Sequence, residues 1–153
     1  MAEKISFEEL LESTGQLIYT NKGVSMMPLL REGRDLMVIR KKGPEGVKRY
    51  DAVLFRRPTV RGRGAYVLHR VLRCNGDGTY WIVGDNCLDG ETVREENILG
   101  VMEAILRDGK REVSVKRLDY RIYVWLWGAR LGLRRFVRRC IYLAWRVKKK
   151  IIG

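Results

Sequence analysis

The sequence predicts a mainly β protein: a coiled, antiparallel, barrel-like β domain with a short helix before it and a basic amphipathic helix after it. Three observations point there. Between residues 36 and 116, β-branched and aromatic residues gather in short runs broken by Gly, Pro and Asp, with no helical spacing between them. Two turn signals, Asn75-Gly76-Asp77-Gly78 and Asp108-Gly109, separate such runs as hairpin turns do. From about Leu118 the apolar spacing becomes helical and arginine becomes frequent. The division that follows is 1–18 for an N-terminal amphipathic helix, 19–117 for the β domain and 118–153 for a basic, aromatic C-terminal helix.

Ser6-Phe7-Glu8-Glu9 has the pattern of a capping box, and Ile5 and Leu10 occupy the positions of a hydrophobic staple. The helix is expected to run about three turns and to bury Leu10, Leu11 and Leu17. Glu3, Glu8, Glu9 and Glu12, without an apolar core segment, argue against a signal peptide or membrane anchor in this stretch. Strands are expected at 36–40, 52–56, 65–73, 80–83, 98–106 and 112–116.

A length of 153 residues, with 46% hydrophobic and 32% charged residues, suits one folded domain with a modest core. There are 31 Lys and Arg against 18 Asp and Glu, a formal charge of +13 that suits an anionic partner, either a membrane surface or nucleic acid. Cys74, Cys87 and Cys140 are odd in number and widely spaced, which fits reduced thiols in a cytoplasmic protein. With one histidine and no Cys-x-x-Cys, no metal or other cofactor is expected.

The chemistry centres on Gly23-Val24-Ser25-Met26-Met27-Pro28-Leu29-Leu30-Arg31-Glu32-Gly33. Gly23 permits a turn that a side chain would hinder, and Pro28 presets the backbone beyond it. Ser25 is thereby presented on a bend beside backbone N–H groups, the arrangement of a nucleophile with an oxyanion hole. A serine hydroxyl needs a base, and the single histidine, His69, lies in the strand-like run Tyr66-Val67-Leu68-His69-Arg70-Val71-Leu72.

Gly-x-Ser-Met-x-Pro, followed by His-Arg-Val and then by Gly84-Asp85-Asn86, resembles the signal peptidase I family. The match is to the branch of archaea, the endoplasmic reticulum and some Gram-positive bacteria, in which histidine replaces the catalytic lysine. Leu30-Arg31-Glu32-Gly33, the run from Tyr50 to Arg56 and Ile98-Leu99-Gly100 add to the likeness, which covers roughly residues 22–101. No lysine lies between Lys48 and Lys110, so the lysine version cannot operate in the slot of His69.

The resemblance implies a serine endopeptidase that removes a leader or signal segment from a precursor polypeptide. Ser25 would be the nucleophile and His69 the general base, with the backbone N–H of Ser25 and of its neighbour Val24 as the oxyanion hole. The lysine-type enzymes often place a second hydroxyl two residues before the nucleophile; here that position is Gly23. Asp85 matches the family's Gly-Asp-Asn, whereas the histidine branch generally uses an aspartate further on, for which Asp89 is the candidate. Both remain open as the carboxylate that orients His69. The family also implies that substrate is received as an added extended strand.

In the C-terminal helix, apolar positions recur through Ile122, Trp125, Leu126, Ala129, Leu133, Phe136, Val137 and Cys140, with a break possible at Gly128 and Gly132. Five arginines from Arg130 to Arg139 are too costly for a bilayer core. The expectation is a helix lying in the interface of an anionic membrane at its cytoplasmic face, with Trp125 and Trp145 at headgroup depth and Arg130, Arg134 and Arg138 on lipid phosphates. The other outcome is packing of this helix on its own domain or on a partner. Two further classes share the β fold: an inactive peptide-binding adaptor, and a nucleic-acid-binding regulator akin to self-cleaving repressors. The second is disfavoured because about twenty residues before Ser25 are too few for a helix-turn-helix domain, so no specific nucleic acid is expected.

Overall fold

The computed structural model describes residues 6–20, 22–58 and 65–152, with side chains through Cys140. Helix α1 (Phe7–Thr14) opens with the expected capping box: Glu9 N–H donates to Ser6 Oγ at 3.1 Å, and Ser6 N–H donates to Glu9 Oε2 at 2.8 Å. Ile5 lies outside the described residues. The helix stops at Thr14, short of Leu17, because Gly15 takes φ +72° and its N–H closes on Leu11 O at 3.0 Å. Leu17 is buried all the same, but as part of a strand, β1 (Gln16–Thr20), that its five-residue pattern did not announce.

The remaining strands are β2 (Asp35–Lys41), β3 (Ala52–Arg57), β4 (Ala65–Cys74), β5 (Thr79–Val83), β6 (Gly90–Arg94), β7 (Ile98–Arg107) and β8 (Arg111–Ser114). Strand β6, with its polar Gly-Glu-Thr-Val-Arg sequence, was also not legible. Both expected turns form: Gly76 and Gly78 lie at positive φ between β4 and β5, and Asp108 and Gly109 at φ 51° and 67° between β7 and β8. All pairings are antiparallel, in the order β1-β2-β7-β3-β4-β5-β6, with β8 on β7. Among the described residues the terminal strands β1 and β6 do not pair with each other, so the sheet is open rather than closed into a barrel.

Irregular register between Val38 and Ile39, Leu54 and Phe55, and Val71 and Arg73 bends the sheet. Its two faces carry separate cores. Leu11, Met26, Leu30, Ile39, Leu54 and Ile105 pack on one side, and Val53, Phe55, Val71, Ile82 and Ile98 on the other. This is why β3 reads as a continuous apolar run: it is covered on both faces. Helix α2 (Leu118–Ile152) is continuous through Gly128 and Gly132. It docks through Tyr120, Val124, Trp127 and Leu131, all buried.

The ten residues of β4 matter most for the site. They pair with β3 from Ala65 to Arg70, but with β5 only from Arg70 onward. The outer edge of 65–69 therefore has no strand partner among the described residues.

Candidate active site

Ser25 and His69 line one cleft of about 640 Å³, together with Tyr19, Met37, Leu54, Tyr66 and Asn86. The serine is held by its neighbours. Gly23 has φ +82°, and its N–H donates to Glu32 Oε2 at 2.8 Å. Met26 is fully buried and its carbonyl accepts the N–H of Leu30 at 3.0 Å, which nails the turn to the core. Beyond it, buried Asp35 accepts Arg31 N–H at 2.8 Å and the guanidiniums of Arg34 and Arg107 at 2.7 Å each. Burial pushes the Asp35 carboxyl up, but these donors prevail and hold it below its ordinary value.

Each residue of Gly84-Asp85-Asn86 has a separate task. A Cβ on Gly84 would sit 2.8 Å from Ser25 O, 2.9 Å from Cys87 Sγ and 3.0 Å from His69 Nε2, so only glycine lets the serine turn and the imidazole approach this closely. Asn86 donates its N–H to Ser25 O at 2.8 Å and its side-chain amide to Val24 O at 3.3 Å, locking the loop to the serine turn. Asp85 is buried and accepts a two-pronged bond from Arg70 at 2.8 and 2.7 Å, a bond from the Tyr123 hydroxyl at 2.9 Å and, on its carbonyl, one from Trp127 Nε1 at 3.0 Å. Its carboxylate is thus committed to Arg70 and α2.

Neither aspartate singled out in the sequence hydrogen-bonds His69. Asp89 is exposed and forks with Arg138 at 2.8 and 2.7 Å. The carboxylate beside the imidazole is Glu91 on β6, with Oε1 at 3.6 Å from His69 Nδ1, an ion-pair distance beyond a hydrogen bond. Glu91 is also gripped by Arg57 of β3, whose Nε donates to Oε2 at 2.8 Å and whose terminal nitrogen reaches Oε1. His69 Nδ1 is buried without a hydrogen-bond partner among the described residues, and Glu91 Oε1 is the carboxylate oxygen that faces it. Sequence reading missed Glu91 because only the β5–β6 register, Ile82 opposite Glu91, brings it near.

Burial pushes the His69 imidazole below its ordinary value of about 6.5. Glu91 and Asp85 oppose this through their charge, and Arg57 reinforces it. The ring is therefore neutral at pH 7, as a general base requires. Ser25 and His69 share the cleft without a hydrogen bond between them; such bonds commonly tighten only when substrate is seated. The N–H groups of Val24 and Ser25 donate to no described acceptor, while the Val24 carbonyl is occupied by Met27 N–H at 3.1 Å.

The residues expected at a membrane differ in their surroundings on α2. Trp125 is 71% exposed and Arg130 is exposed, Arg134 is half-buried, and Arg138 is tied to Asp89. The side chain of Trp145 lies outside the described residues. Neither the protein-family models nor the curated proteins compared with the chain match its sequence.

Proposed function

We propose that the protein is a serine endopeptidase that cleaves a leader or signal segment from a precursor polypeptide. Ser25 Oγ attacks the scissile carbonyl as His69 Nε2 takes its proton, and the N–H groups of Ser25 and Val24 receive the oxyanion. Collapse of the tetrahedral intermediate passes that proton from His69 to the leaving amine and leaves an acyl-serine. Water, deprotonated by the same imidazole, then frees the enzyme. Glu91, rather than Asp85 or Asp89, is the carboxylate placed to stabilise the imidazolium.

One observation carries this reading: the serine turn and His69 share a cleft that runs along the edge of β4, residues 65–69, that has no strand partner among the described residues. An extended peptide added to that edge satisfies its free N–H and C=O groups and passes its backbone between Ser25 and His69. The His-type signal peptidase resemblance over residues 22–101 agrees with this chemistry.

Wild type, Ser25→Ala and His69→Asn are to be incubated with leader-bearing precursor peptides and the products weighed by mass spectrometry. The expected result is a new cleavage product from wild type, none from Ser25→Ala, and a rate at least about 100-fold lower for His69→Asn. Equal cleavage by wild type and Ser25→Ala overturns the reading.

A further inference from the structure

Helix α2 has two apolar faces, and only one is covered. The inner face packs on the body through Tyr120, Val124, Trp127 and Leu131, whereas Leu118, Ile122, Trp125, Leu126, Leu133 and Phe136 are all exposed. At about 100° per residue, these six fall within an arc of roughly 100° on the outer side of the helix. Trp125 is 71%, Phe136 65% and Leu133 64% exposed, so this is a continuous apolar surface and not a scatter of single residues.

Arginines border the arc on both sides. Arg121 and Arg139 lie along one margin and Arg130 along the other, with half-buried Arg134 further round toward the inner face, and none of the four makes an ion pair among the described residues. From residue 118 to 153 the only acidic side chain is Asp119, which pairs with Arg117. Beside the margin that carries Arg121, a groove of about 1050 Å³ is lined by Lys48, Arg49, Lys116 and Arg121 next to Trp125, with Asp51 as its one carboxylate. Among the described residues no helix is long and apolar enough to cross a membrane.

We propose that the outer face of α2 lies in the interface of an anionic phospholipid bilayer, parallel to its surface, with the flanking arginines and the basic groove on lipid phosphates. Each alternative occupant satisfies only half of the surface. Nucleic acid would neutralise the arginines but leave the tryptophan, leucines and phenylalanine in water. A second copy would cover the apolar arc but set two arginine borders against each other. A bilayer interface takes apolar side chains to the acyl boundary and places guanidiniums at the headgroups in one contact. Because the inner face of the same helix grips the loop 84–89, the cleft is held in a fixed relation to that surface.

The full chain is to be sedimented with vesicles of phosphatidylglycerol and phosphatidylcholine, and with phosphatidylcholine alone, at low and high salt. Binding is expected to the anionic vesicles only and to weaken with salt. Trp125→Glu combined with Phe136→Glu, and Arg130→Glu combined with Arg134→Glu, are each expected to reduce it about tenfold or more. The apolar pair is exposed, so its replacement should leave the melting temperature unchanged. Failure to bind anionic vesicles overturns the proposal. So does undiminished binding by the apolar variant, which reduces the contact to charge alone. A wild-type dimer in sedimentation velocity that the apolar variant dissociates also overturns it, by assigning the face to a second copy. Ser25→Ala should bind vesicles like wild type, so this test stands apart from the peptidase reading.

Discussion

His69 and Gly84 concentrate the consequences of the fold into single side chains. Burial holds the imidazole below its ordinary value, so the acidic limb of kcat/KM should fall below pH 6.5, the unperturbed value. Glu91 raises the His69 value, so Glu91→Gln should move that limb to still lower pH and reduce kcat, since the imidazolium formed in the transition state loses its counter-charge. A pH–rate profile of the two proteins checks both effects; an unmoved limb would remove Glu91 from the site. Stability has the same sign. The depressed imidazole contributes fully above about pH 6.5, and that contribution is lost as pH falls through the folded-state value. Gly84→Ala places a methyl 2.8 Å from the Ser25 carbonyl, a backbone atom already bonded to Asn86, so it cannot be accommodated by rotating a side chain. We expect at least about a 100-fold loss of kcat with a smaller change in KM, measured on a precursor peptide, because displacement of reacting groups by even ~1 Å has that cost.

Among the elements, α2 and the loop 84–89 form one unit with the serine turn. Tyr123 and Trp127 hold Asp85, Arg135 Nε reaches Leu88 O at 3.1 Å, Arg138 holds Asp89, and Asn86 passes the restraint to Ser25. Tyr123→Phe removes one bond to a charged acceptor, a loss of about 1.5–3 kcal/mol. Hydrogen exchange should then show faster exchange at Asn86 N–H with unchanged protection in β2; equal exchange at Asn86 would mean that α2 does not order the loop. This linkage was not legible in the sequence. The helical spacing of 118–140 announced a helix and its outer apolar stripe, since period is a local property. That the opposite side meets the sheet depends on where the sheet ends, which no segment records about itself. The short strands β1 and β6 escaped notice for a related reason. Leu17 sits in five residues following a helix signal, and β6 is mostly polar because only Val93 faces a core.

The whole molecule is joined at Arg70 and Asp85, both buried, where the sheet, the loop 84–89 and α2 meet. Arg70 reaches Asp85, the Tyr50 carbonyl at 2.9 Å and the Tyr120 hydroxyl at 3.0 Å, and stacks beside Trp127. Burial disfavours the guanidinium charge, but Asp85 more than compensates and keeps Arg70 charged. Removing one partner of such a pair strands the other charge, so Arg70→Ala should destabilise the protein by roughly 3–5 kcal/mol in urea unfolding. A loss below about 1 kcal/mol, the range of an exposed pair, would show that water reaches the junction. From the sequence alone came the β class, both hairpin turns, the start of α1, the existence of α2 and the proposal of Ser25 with His69. All of these rest on signals within a few residues: a capping pair, a turn dipeptide, a period, a motif. The tertiary structure decided that among the described residues the sheet stays open and β4 keeps a free edge beside the serine, that Glu91 stands by His69, and that Asp85 and Asp89 serve other partners. Those outcomes depend on register between strands far apart in the chain, and shifting one strand by a single residue would turn Glu91 to the other face.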